Sequence, residues 1–402
     1  MTQCLINPVQ LRGMVFRHNK ASVGKILLLL IFVLILLISG LAAAGCVGFG
    51  MRQGGWSGVT VANGSLFFGS AGGSLVAMDA ESGGQLWPPV TFETSGSGGF
   101  GCAAPDMAVA LYGTPAVDGE LVYIGGFDGK VRAINAETGA IRWIYPREGS
   151  LQPIIGGPVV AQGRVYIGSF DGIVHALDAA TGDWIWQFET EDEIWSTPAI
   201  DGDTLFIGSF DKKLYALDVT TGEEKWQQPF ETQGPIVSTP LVDDNTVYVT
   251  SFDRHIYALD ATNGQLIWQY PSTDEAENRP GKWFWASPVI HNNTIYAANM
   301  DGRVYVLDAD SGILITALDL GSPISSSPAV ADDKVFIATE EGRVYYIDTN
   351  SNQTRELPVL GGIITAPLTA SDGVVYVHAQ EDETLYALNA ETGVIIWNTP
   401  IN

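Results

Sequence analysis

The chain has 402 residues, 46% of them hydrophobic and 16% charged, with 45 acidic against 20 basic side chains and a formal net charge of −25. That much apolar and aromatic content excludes disorder over most of the length. The negative sign excludes a general nucleic-acid binder, and three cysteines exclude both a dense disulfide scaffold and a repeated Cys-based zinc site.

Charge is unevenly spread. No Asp or Glu precedes Asp79, while Arg12, Arg17, Lys20 and Lys25 lie in a basic segment, residues 1–25, expected to stay cytoplasmic. Residues 26–45 follow without a charge, and at about 1.5 Å per residue they match a bilayer core. Two readings stay open. Residues 26–45 are a transmembrane anchor, or they are a lipoprotein signal cut before Cys46, which is then the lipidation candidate because Leu41–Cys46 resembles a lipobox. Ala43 stands where such a box usually has Leu, and a start at Met14 gives a more ordinary signal length. Both readings predict a tethered, extracytoplasmic protein, periplasmic or on the cell surface. Residues 46–55, rich in Gly, read as a flexible tether.

From residue 56 to 402 one unit recurs. GFDGKVRAINAETGAIRW, SFDGIVHALDAATGDWIW, SFDKKLYALDVTTGEEKW and SFDRHIYALDATNGQLIW are its clearest copies. The Asp or Asn closing the third strand recurs at Asp79, Asn135, Asp178, Asp218, Asp260, Asp308, Asp348 and Asn389, a mean period of about 44 that suits four-stranded propeller blades. Runs such as RVYIGSF and TLFIGSF alternate like strands, and Asp-Gly, Phe-Asp-Gly and DAxTG groups punctuate them as turns. The predicted fold is all-β: an eight-bladed β-propeller of four-stranded antiparallel blades, preceded by an N-terminal hydrophobic helix or signal segment. Closure of such a ring hides its sheet edges.

The YALDAxTGxxxW units resemble the pyrroloquinoline-quinone (PQQ) repeat family, whose eight-bladed propellers include quinoprotein dehydrogenases and a non-catalytic branch containing the outer-membrane-protein assembly lipoprotein BamB. The resemblance covers residues 56–402 and implies fold far more strongly than function. In six units a Trp falls four residues after the turn Gly: Trp87, Trp143, Trp186, Trp226, Trp268 and Trp397. The resemblance implies that these dock between adjacent blades, with each indole N–H bonded to a backbone carbonyl. Thr316 and Glu356 take that place in units six and seven, where looser contacts are expected.

Strand order puts the connection into each first strand and the Phe-Asp-Gly turn on one face of the ring, and the Asp-Gly and DAxTG turns on the other. In units two to eight the first strand opens on a small residue and Pro, as at Thr197-Pro198 and Ser287-Pro288. Two connections into first strands are long, Pro88 to Gly113 with Cys102 and Tyr270 to Ala286 with Lys282 and Trp283, and recognition concentrates on such loops. Three residues before the Pro stand Tyr112, Trp195 and Trp285, and Trp56 corresponds in unit one. Trp56, Tyr112, Trp195, Lys282, Trp283 and Trp285 are therefore candidates for binding a protein partner or extended peptide. The alternative is that the aromatics plug the channel beneath the inserts. Asp128, Asp171, Asp211, Asp253 and Asp301 on this face read as turn formers, with a cation site as the alternative.

A PQQ-dependent dehydrogenase is the enzyme alternative. The resemblance implies for it a vicinal Cys-Cys lid, a calcium site and an Asp base, but Cys4, Cys46 and Cys102 are far apart in sequence. No HxxxH, HExxH, GxSxG, P-loop or dinucleotide fingerprint occurs. His175 and His255 fall in third strands, where a satisfied structural role is the commoner one. The expectation is a monomeric ring without catalytic residues, cofactor or metal, acting as a tethered scaffold or protein-binding module, BamB-like in a host with an outer membrane and a surface sensor in one without.

Overall fold

The computed structural model describes residues 55–94, 107–273 and 279–401, all within the unit Arg52–Asn402. The basic segment, the apolar run, Cys46 and Cys102 lie outside the described residues. Among the described residues every regular element is a strand, and no helix is long and apolar enough to cross a membrane. They form eight four-stranded antiparallel sheets and one two-stranded ribbon.

Each blade is built from contiguous chain. Blade 3 is typical, with strands Val159–Ala161, Arg164–Gly168, Ile173–Asp178 and Trp184–Glu189 in that spatial order. The short first strand lies nearest the axis, and the middle two are buried on both sides, because a blade is sandwiched between two neighbours. Period-two alternation then divides one strand between two cores. Tyr166 packs with Leu205 and Ile207 of blade 4. Val165 and Ile167 pack with Tyr123 and Ile154 on the blade 2 side. Cores of this kind recur around the ring, so the apolar mass lies between the sheets.

The turn after the third strand is set by its acidic residue. Asp178 Oδ1 accepts from the backbone N–H groups of Ala180 at 3.0 Å and Thr181 at 2.9 Å. Gly182 follows at φ +71°, and a Cβ there would meet the Trp143 ring of blade 2 at 2.6 Å. Only a glycine supplies both the left-handed backbone and the room.

The six Trp residues sit at blade junctions; five are buried, and Trp397, at the seam between blades 8 and 1, is half-buried. Each donates its indole N–H to the next blade: Trp87 to Ala136 O at 3.0 Å, Trp143 to Ala179 O at 2.9 Å, Trp186 to Val219 O at 3.1 Å, Trp226 to Ala261 O at 3.0 Å, Trp268 to Ala309 O at 2.8 Å and Trp397 to Ala80 O at 3.2 Å. A β-bulge one residue before the Trp aims it in blades 2, 3, 5 and 8, as where Leu177 pairs with Trp184 and Ala176 with Trp186.

Blades 6 and 7 depart from this. Blade 6 keeps the bulge and places half-buried Thr316 opposite Val306. The facing turn of blade 7 has Asn352, at φ +54°, where the others have Gly. Blade 7 has no bulge: Tyr346 pairs with Arg355 and Tyr345 with Glu356. Sequence spacing assigns Glu356 to the junction, but without the extra residue the register advances by one and the side chain turns to solvent. Leu357, buried, fills the junction instead, 2.3 Å from where a Cβ on Gly393 would lie.

The ring closes without a shared strand. Blade 8 reaches blade 1 through Thr369 Oγ1 to Val59 O at 2.6 Å, Thr399 Oγ1 to Gly83 O at 3.0 Å, the Trp397 bond and a Glu383 carboxylate that accepts from Ala71 N. Buried His378 adds a 3.1 Å contact from Nδ1 to Ser57 O, and burial pushes its pKa down.

Candidate functional site

The segments leading into the first strands bring one residue per blade to the axis: Trp56, Tyr112, Ile155, Trp195, Val237, Trp285, Ser325 and Thr365. Crowding at the axis demands small neighbours. A Cβ on Gly113 would lie 2.6 Å from Gly157 Cα, and one on Gly156 would lie 2.6 Å from Ser196 O.

Four of the partner-binding candidates meet here. Trp56 lies 4.2 Å from Tyr112 and 6.3 Å from Trp285 between ring centroids, and Trp285 lies 6.0 Å from Trp195, mostly tilted or edge-on as quadrupoles favour. The Phe of each FDG-type turn buttresses this group: Phe127 beside Tyr112 at 5.6 Å, Phe210 beside Trp195 at 4.5 Å and Phe252 beside Trp285 at 5.7 Å. The axial rings are half-buried and form an aromatic floor on one side of the mouth. Blades 7 and 8 contribute only Ser325 and Thr365 at that level.

The other two candidates stand on the rim. Lys282 and Trp283 are exposed, while their backbone is pinned to blade 6 by Asn299 Nδ2 to Lys282 O at 2.9 Å and Met300 N to Trp283 O at 3.3 Å. Buried Phe284 anchors the same segment. Met107, Val359 and Ile363 are 55%, 66% and 48% exposed on the same face, and Trp283 is 45% exposed. Sequence reading missed Met107, Val359 and Ile363, since nothing in the repeat marks a connecting-loop residue as outward. The inserted ribbon, Glu93–Thr94 paired with Met107–Ala108, also rises here.

Below the floor a cavity of about 360 Å³ lies on the axis. Thr114, Thr197, Thr239, Ser287, Ser325 and Ser327 border it, and none of its bordering residues carries a charge.

The Asp residues of this face act as struts between blades. Asp211 Oδ2 accepts from Glu191 N at 3.0 Å and Tyr215 OH at 2.6 Å. Asp253 Oδ2 accepts from Gln233 N and Tyr257 OH, both at 2.8 Å, and Asp301 Oδ2 from Gly281 N at 2.7 Å and Tyr305 OH at 2.8 Å. Burial alone would raise the Asp253 pKa, but hydrogen bonds from His255, Tyr257 and the Gln233 N–H outweigh it and hold the carboxyl low. Burial first, and then the Asp211 carboxylate, push the Tyr215 hydroxyl far up. Asp128 pairs with Arg132, whose guanidinium also covers the Phe92 ring at 4.3 Å. Among the described residues no group of three or more His, Cys, Asp or Glu side chains is placed to hold a metal.

One cluster holds the residue types of a hydrolytic triad. Ser169 Oγ donates to Asp171 and lies 3.2 Å from His175 Nε2. In a triad the His stands between Ser and Asp; here Ser stands between the other two, and Ser169 and His175 are buried. Burial lowers the His175 pKa to about 4, with Asp171 opposing. His255 Nδ1 lies 3.1 Å from Asp253 O and 3.2 Å from its Oδ1.

A family model described as the β-propeller of beta-alanine-activating enzyme matches residues 154–402, and one described as outer membrane protein assembly factor BamB matches residues 51–174. No curated protein sequence matches. Among solved structures, BamB from Moraxella catarrhalis superposes with a TM-score of 0.63 at 20% identity, over 84% of this chain and 92% of that one. The computationally designed Ika8 protein gives 0.67 at 18% identity, over 83% and 96%. Saccharomyces cerevisiae Sqt1 gives 0.63 at 16% identity, over 77% and 86%. At such identities the superpositions speak for the fold alone. With family models spanning the ring, one of them over more than half of the chain, and eight blades built on the same turn and docking grammar, the protein belongs to the PQQ-like-repeat β-propellers and is BamB-like among them.

Proposed function

We propose that the protein is a membrane-tethered, extracytoplasmic scaffold that binds another protein, or an extended segment of one, and has no chemistry of its own. The observation that carries this reading is that Trp283, Met107, Val359, Ile363 and Lys282 are all exposed, in the connections into blades 6, 2 and 8, on the face that holds the aromatic floor. Exposed apolar side chains grouped on a rigid frame favour a protein partner. The floor of Trp56, Tyr112, Trp195 and Trp285 lies behind this rim. In a host with an outer membrane, the likeness to BamB supports a part in outer-membrane protein assembly; in a host without one, a surface sensor is the corresponding role.

A photo-crosslinking residue at Trp283 is expected to trap one defined partner, and Lys282→Glu is expected to weaken that capture. A probe at Ile141, exposed on the outer edge of blade 2, is expected to trap none. Mass spectrometry of the mature N-terminus separates a diacylglyceryl group on Cys46 from an uncleaved anchor. Alcohol oxidation on adding PQQ and Ca²⁺ overturns the scaffold reading in favour of a dehydrogenase.

A further inference from the structure

We propose that the axial cavity binds one uncharged sugar ring, a hexopyranose unit either free or at the end of a glycan. This goes beyond the scaffold role and does not rest on it: the cavity shares with that reading the floor residues Trp56, Tyr112, Trp195 and Trp285, but not the rim residues Lys282 and Trp283, which do not border it.

No bordering side chain is ionised, and the chain as a whole carries −25. An anion entering would lose its water with no cation to replace it, inside a negative field; a cation would find no carboxylate. The occupant is therefore neutral.

Hydrogen bonding narrows the choice. Thr197 Oγ1 accepts from Gly157 N at 2.8 Å, Ser287 Oγ from Thr239 N at 2.8 Å and Ser327 Oγ from Ser287 N at 3.0 Å. These bonds fix each hydroxyl to the neighbouring blade and use its acceptor side. The proton of each is free to donate, and among the described residues no protein acceptor takes it. Ser325, 8% exposed, also borders the cavity, and its buried Oγ has no hydrogen-bond partner among the described residues. An apolar side chain entering from a partner would leave these hydroxyls dry and unpaired, which costs binding free energy. A polyol supplies oxygen for every one of them.

The aromatic floor decides between polyols. The rings of Trp56, Tyr112, Trp195 and Trp285 present apolar surface that suits the C–H faces of a pyranose, while hydroxyls on its rim meet the Ser and Thr side. The cavity volume falls within the range of small-ligand sites.

The test uses the full chain in a sugar-free detergent. Ligand-observed saturation-transfer NMR is run with methyl glucopyranoside, methyl galactopyranoside and N-acetylglucosamine, and with chitobiose as the glycan-end arm. Acetate and tetramethylammonium are the charged controls. Saturable transfer to the ring protons of at least one sugar, and none to the ions, is expected. Preference for chitobiose over the monosaccharides assigns a glycan end; the reverse assigns a free sugar. Trp285→Ala is expected to abolish the transfer. Since that variant also disturbs the floor, Ser325→Ala, which breaks no protein hydrogen bond, is the second arm and is expected to weaken binding about tenfold. No saturable transfer from any sugar, or transfer unchanged in both variants, overturns the proposal.

Discussion

Six of the eight blade junctions are locked by an indole, and two are not. At the six, a Trp ring lies against a glycine and its N–H reaches the carbonyl of the next blade. At the junction of blades 6 and 7 both halves of the device are missing together: Thr316 replaces the Trp, and Asn352 replaces the Gly. Between blades 7 and 8 the Gly remains, as Gly393, and Leu357 comes to it from an unbulged strand. The difference teaches that the turn residue answers to its cross-junction neighbour as well as to its own backbone. Asn tolerates a left-handed φ well enough. What it cannot do is lie under a ring that leaves 2.6 Å for a Cβ.

The largest expected effect breaks the locked class. Trp186→Ala should cost about 3–5 kcal/mol, read from the denaturant midpoint, whereas Leu357→Ala at the unlocked junction should fall towards the low end of about 2–5 kcal/mol, since leucine brings no hydrogen bond. Equal losses would show that the indole bond adds nothing. Next comes conversion of the open junction. Thr316→Trp alone should lower the melting temperature, because Asn352 obstructs the ring. Thr316→Trp with Asn352→Gly should raise stability above wild type by about 1–3 kcal/mol of added burial, since Thr349 follows Asp348 as the other indole acceptors follow their third-strand Asp or Asn. A non-additive double-mutant cycle is the signature.

The smallest effect concerns the opposite face, where the residue that closes the third strand and caps the turn is Asp in six blades and Asn in two. Hydrogen bonds from the Ser82 hydroxyl and N–H hold the Asp79 carboxyl below its ordinary value of 3.8, and the Ser311 hydroxyl does the same for Asp308. The Thr221 N–H lowers Asp218 and the Thr262 hydroxyl lowers Asp260. A carboxyl depressed by folding stabilises fully above its unfolded pKa, and the contribution disappears as pH falls through the folded one. Asn135 and Asn389 make the same turns without a proton to gain: Asn135 Oδ1 accepts from Thr138 N at 2.9 Å. Replacing Asp79, Asp218, Asp260 and Asp308 together by Asn should therefore flatten the loss of stability below about pH 4 and leave neutral-pH stability nearly unchanged. An acid limb as steep as wild type would place the linkage elsewhere.

Much of this was readable before any coordinates. The DAxTG spacing gave blade number, turn chemistry and the faces on which the connections emerge, because each turn is local and its residues act within four positions. The step at blade 7 was not readable. A bulge leaves no residue signature in QTREL, so counting four from the turn lands on Glu356 and misses Leu357. The candidate site divided the same way. Trp56, Tyr112, Trp195 and Trp285 were found by their distance from the Pro, and the axis brought them together. The hydroxyl ring below was visible only as small residues. Its meaning depends on who accepts from whom across 40 and 48 residues of sequence.

Closure by side chains has an architectural consequence. Many rings are fastened by a sheet that borrows a strand from the far end of the chain; here every sheet is complete in its own stretch of sequence. A blade is thus a cassette with a self-sufficient fold and two standard faces, and the seam between blade 8 and blade 1 uses the same indole-to-carbonyl latch as the ordinary junctions. Duplication could lengthen such a ring one cassette at a time with no strand to re-route, each copy free to diverge at the axis while its flanks stay interchangeable.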